Sequence, residues 1–78
     1  MTRATLHYVG FTRTEYMSAI KIWGHPDFVH DRATWSCLGE IPPQDRVIFG
    51  SRAFIRPKKW REYHPVMQAH DFNTARII

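Results

Sequence analysis

The chain is poor in cysteine, in glycine and in long apolar runs. Its one cysteine, Cys37, has no partner for an internal disulfide, and its neighbours Trp35 and Leu38 mark it as a small buried hydrophobe. A reducing, cytoplasmic setting is therefore expected. The four glycines, Gly10, Gly24, Gly39 and Gly50, stand singly at element ends, so no phosphate-cradling loop is encoded. No window approaches the roughly 20 consecutive apolar residues of a membrane span, and the first ten residues lack the apolar run of a leader. The expectation is a protein without a membrane partner. Acidic residues are also few, seven against eleven Lys and Arg. Nothing in their spacing sets two carboxylates together as an acid and base pair, and no enzyme is expected.

What the chain does have is apolar surface and positive charge. Its 78 residues are 44% hydrophobic and 14% aromatic, enough to order one small domain. At this length folding buries roughly 60–65% of the extended surface, leaving little room for an enclosed active site. The net charge is +4, and Arg52, Arg56, Lys58, Lys59 and Arg61 hold five of the eleven basic residues, opposed locally only by Glu62. Such a patch suits an acidic protein surface or a phosphate backbone.

Along the chain, residues 3–10 alternate Leu6 and Tyr8 against His7 and Val9, the pattern of a half-buried strand with His7 at the surface or a sheet edge. Thr12 and Glu15 have capping-box spacing, with Phe11 placed to staple against Tyr16. The periodic Tyr16, Ile20 and Trp23 then define a helix over residues 13–23, stopped by Gly24 and Pro26. Residues 25–31 read as a turn leading to a second short helix over residues 32–38. Pro42-Pro43 forces an extended turn, from which Arg46-Val47-Ile48-Phe49 leaves as a strand pairing with the first. Residues 51–56 read as a third strand or a pinned loop. Pro57 opens a short helix over residues 57–64, and the tail reads as a helical turn near residues 66–70 followed by an extended end. The expected fold class is α+β: a small antiparallel sheet of two to three strands packed against two to three short helices.

Two clusters carry chemistry. His25, Asp27, His30 and Asp31 offer donor types that suit a divalent metal, but their spacing matches no closed zinc motif and Pro26 lies inside it. The competing role is to cap helices and bond turn amides, with His30 bonding Asp31 or Asp45. The second cluster interleaves Arg52, Phe54, Arg56, Lys58, Lys59, Trp60, Arg61 and Tyr63. That is the composition of a single-strand nucleic-acid binder, and equally of a protein interface anchored by Trp60 and Tyr63. Ile77 and Ile78 leave a homodimer open.

Residues 26–30, PDFVH, and residues 45–49, DRVIF, resemble a pattern in small phage and prophage accessory proteins, a resemblance spanning residues 24–50. Some proteins of that size class are anti-CRISPR inhibitors. The resemblance implies a stoichiometric inhibitor in the host bacterial cell, binding a Cas effector subunit or its DNA channel without a cofactor. Many such inhibitors are acidic DNA mimics, whereas this chain is basic, which turns the expectation toward an acidic protein face. The alternative is a small nucleic-acid-binding protein using the same patch.

Overall fold

The computed structural model of the protein describes residues 5–31, 39–53 and 57–77. In chain order these form β1 (Leu6–Val9), α1 (Arg13–Trp23), β2 (Phe28–His30), β3 (Arg46–Phe49), α2 (Pro57–Tyr63), β4 (Gln68–Asp71) and β5 (Arg76–Ile77). The strands make one five-stranded sheet in the order β2-β1-β3-β4-β5. The first four strands in that order run parallel, and only β5 is antiparallel, to β4.

This sheet corrects the expected antiparallel sheet of two to three strands. β1 and β3 do pair, Tyr8 opposite Ile48, but in parallel. Parallel neighbours require crossover connections, and crossovers cover both faces of the sheet. All four residues of β1 are accordingly buried, His7 included at 5% exposure, so its alternation does not mark a wet face. Residues 28–30, read as part of a turn, form β2 beside β1. Residues 68–71 form β4 where the sequence suggested helix. The second expected helix, Cys37, and Phe54, Ile55, Arg56 and Ile78 lie outside the described residues.

α1 has the expected bounds, and its ends explain them. Thr12 accepts the Glu15 amide at 3.2 Å while Glu15 accepts the Thr12 amide at 2.9 Å, a complete capping box. Gly24, at φ +91°, closes the helix by donating to the Ile20 carbonyl at 2.9 Å. The inner side of α1 covers Leu6, Tyr8 and Ile48 with Ala19, Tyr16, Ile20 and Trp23. Phe11, expected to staple against Tyr16, packs on Tyr8 and Phe72, while Tyr16 meets Tyr8 edge-on. The Tyr8 hydroxyl lies between the carbonyls of Ala19 and Gly24 and ties the strand to the helix. Burial, then Tyr16, raises its pKa above the ordinary 10.0 against a smaller opposing pull from Arg46, so it stays a donor.

The opposite face holds Val9, Val47, Phe49 and Ala69 against Trp60 of α2, with Ile41, Ala53 and Met67. Trp60 is 1% exposed, stacks on His64 at 4.3 Å and donates its indole N–H to the Met67 sulfur at 2.7 Å. Gly10, at φ +68°, makes the turn out of β1 where a Cβ would run into the backbone of Arg52 and Ala53.

Candidate functional site

Three places carry the polar chemistry of the molecule: the outer side of α2, the carboxyl ends of the strands, and their amino ends.

On α2 the single buried tryptophan decides which side faces out. With Trp60 directed into the core, Lys58, Lys59, Arg61, Glu62 and Tyr63 are exposed, Tyr63 by 65%. Lys58, Lys59 and Arg61 have no ion-pair partner among the described residues. The structure therefore gathers four of the expected contact residues on one short helix. It withdraws Trp60 from the surface, where the sequence offered it as an anchor, because the core under β3 and β4 needs a large apolar group and α2 supplies no other.

Arg52 lies apart from α2's outer side in its surroundings. It lines an open crevice of about 400 Å³ with Thr12, Arg13, Tyr16, Val29 and Asp31, beyond the carboxyl ends of β1 and β2. The α1 terminus beside it is internally neutralised. Burial alone would raise the Glu15 pKa, but hydrogen bonds from Thr12 and Ser51 outweigh it and hold the carboxyl below its ordinary 4.5. The Ser51 hydroxyl donates to Glu15 at 2.9 Å, which fixes the loop after β3 to the start of α1.

From the amino ends of β1 and β3 a polar array that the sequence only half disclosed runs across to His30, the last residue of β2. Asp45, 4% exposed, accepts from His7 Nε2 at 2.8 Å and from the Thr5 amide at 3.3 Å. His7 Nδ1 lies 3.2 Å from His30 Nε2, so Asp45, His7 and His30 form one hydrogen-bonded line across β3, β1 and β2. The ring of His7 is stacked against both Phe28 and His30, at 5.3 and 5.4 Å. Burial, and secondarily His7, keeps the His30 pKa below its ordinary 6.5. The expected His30 bond to Asp31 or Asp45 is thus replaced by one to His7, which takes the Asp45 carboxylate itself. His7 is a central buried residue and not an edge one. No local signal distinguishes these roles, since His7 and Asp45 are far apart in sequence and meet only because β1 and β3 are neighbours.

Of the metal candidates, Asp27 is committed to the fold: its carboxylate accepts the Leu6 amide at 2.9 Å while its own amide donates to the Leu6 carbonyl at 2.8 Å. His25 and Asp31 are exposed, and His30 points one ring nitrogen at His7. Among the described residues no group of three or more His, Cys, Asp or Glu is placed to hold a metal. No helix among them is long and apolar enough to cross a membrane.

No family model, no curated protein and no solved structure matches this chain.

Proposed function

We propose that the protein is a stoichiometric binding domain that engages an acidic protein surface through the outer side of α2, acting as an inhibitor or accessory factor of a bacterial defence complex of the CRISPR-Cas type. The observation that carries the binding reading is the burial of Trp60 together with the exposure of Lys58, Lys59 and Arg61 without an ion-pair partner among the described residues. A helix whose apolar demand is met inward presents its cations at no cost to the core. Uncompensated cations at a surface favour an oppositely charged partner and speed the encounter with it.

The same observation weighs against single-stranded nucleic acid as the target. That mode stacks successive bases on several aromatic platforms beside the cations; with the indole of Trp60 in the interior, Tyr63 is the one exposed ring among the described residues of α2. Tyr63 retains an exposed ring suited to an interface anchor. The defence complex as partner rests on the resemblance at residues 24–50 alone.

The test is salt-titrated capture of purified Cas effector complexes, with and without nuclease, by the native chain and by a Lys58→Glu, Lys59→Glu variant. Nuclease-resistant capture that falls about tenfold in the variant is the expected result. Capture that vanishes with nuclease transfers the function to nucleic acid. Equal capture by both proteins removes α2 from the interface.

A further inference from the structure

Beside the His30–His7–Asp45 line lies a cleft of about 350 Å³, separate from the basic side of α2. Its walls combine apolar surface from Phe28, Ile41 and Pro42 with polar groups from Thr5, His30 and Glu40. Phe28 is 56% exposed, an aromatic ring left at the mouth of the cleft with its stacked partner His7 beneath it. In a chain of net charge +4, no Lys or Arg is among the cleft's described lining residues, while Glu40 and Asp45 both are. The cleft is the acid-lined part of a basic molecule.

The order of protons along the line decides what the cleft offers. Asp45 accepts, so the proton of His7 sits on Nε2. In a neutral His7 ring the Nδ1 lone pair then accepts from His30 Nε2–H, 3.2 Å away. That leaves His30 Nδ1 as a bare lone pair, and this atom has no protein partner among the described residues and is not enclosed by them. The buried carboxylate thus passes its acceptor character along two imidazoles to His30, a residue of the cleft wall.

We propose that this cleft is a binding site for an amine cation carried on a small apolar body, the ammonium donating to His30 Nδ1 and facing Glu40 while the body rests on Phe28, Ile41 and Pro42. An anion meets two carboxylates and an acceptor nitrogen there, and a purely apolar molecule leaves the polar end unpaired. A cation beside an open aromatic ring gains further from the ring's electron-rich face. The volume lies at the small end of the range of natural ligand pockets, about 300–1,000 Å³, which suits a single-ring amine or one basic side chain of a protein. Among the described residues, His7 from β1, Asp45 just before β3, and Glu40 are the ionisable groups that share the cleft with His30. One proton added to His30 removes the acceptor: its Nδ1 then carries hydrogen and repels an amine.

The experiment is an NMR titration of the isotopically labelled full chain with benzylamine, benzyl alcohol and benzoate at neutral pH, monitoring backbone amides and imidazole resonances. Benzylamine is expected to shift Thr5, Phe28, His30 and Glu40 preferentially, and benzoate to leave them unmoved. Glu40→Gln, an exposed change that breaks no hydrogen bond among the described residues, should weaken benzylamine by about threefold. Lowering the pH stepwise from 6.5 toward the depressed His30 pKa should weaken benzylamine binding progressively while amide dispersion shows the fold retained. A parallel titration with an N-acetyl lysine methylamide separates the sources: tighter binding of that probe assigns a lysine of a protein partner, and tighter binding of benzylamine assigns a free amine. Benzoate binding as well as benzylamine, benzylamine shifts confined to other residues, or no response to Glu40→Gln overturns the proposal.

Discussion

The two ends of the parallel strands solve the same problem with different chemistry. At the amino ends the first amides of β1 lack ladder partners, and carboxylates supply them: Asp27 accepts Leu6 and Asp45 accepts Thr5. Asp45 also holds His7, which holds His30, so a polar line runs through three strands from the buried Asp45 and His7 to the half-buried His30 at the end of β2. At the carboxyl ends the loops are fixed by one partly exposed carboxylate, Glu15, which serves both the α1 cap and Ser51. Beside it stand Arg13, Arg52 and Asp31, open to solvent. The contrast shows that overall charge says little about local charge. It also shows that hydrogen bonds of the same kind carry unequal weight, because solvent can replace those of the partly exposed Glu15 more readily than those between the buried Asp45 and His7.

The largest effect expected from this contrast is at Asp45. Asp45→Ala leaves a buried imidazole and the Thr5 amide without their acceptor and should cost about 3 kcal/mol in chemical denaturation, a large share of the stability of so small a domain. Glu15→Ala, which removes the corresponding carboxylate from the open end, should cost about 1 kcal/mol, the worth of a cap. Equal losses for the two variants would erase the distinction between the ends.

Acid should separate them in a single sample. His30 has a folded pKa below its ordinary 6.5, so its contribution is present above that value and is lost as pH falls from it toward the depressed folded value. Glu15 has a folded pKa below its ordinary 4.5, so its contribution persists through that window and is lost only as pH falls through the lower folded value. The expected stability profile has two steps, and Glu15→Gln should remove the more acidic one alone. The smallest effect is expected away from both ends. Lys58→Glu with Lys59→Glu should leave the stability within about 0.5 kcal/mol of the native chain, because these side chains are exposed and have no ion-pair partner among the described residues. A larger shift would mean that α2 is held by its charges and not by Trp60.

The sequence disclosed the elements whose signals are local. Thr12, Glu15, Gly24 and Pro26 bound α1 within a few residues of one another, and the apolar run ending at Gly50 marks β3. Pro57 likewise marks the start of α2. β2 and β4 were not legible. Phe28 and Val29 are exposed on a three-residue edge strand, and β4 alternates weakly, so neither carries the apolar pattern by which a strand is recognised alone. The candidate sites divide in the same way. The cationic run around Lys58 was visible in composition, whereas the burial of Trp60 and the line from Asp45 to His30 were not.

By itself the sequence determined one helix with both its caps, one central strand, the start of a second helix, and a basic surface, since each depends on neighbours within a turn or two of chain. Tertiary structure decided the parallel direction of the strands, the membership of β2, β4 and β5, and the placing of His7 at the centre of the sheet. It also decided that an acid-lined cleft exists in a basic protein. These follow from which strands lie side by side, and pairing between residues as distant as His7 and Asp45 is set by the closing of the whole core rather than by any short stretch within it.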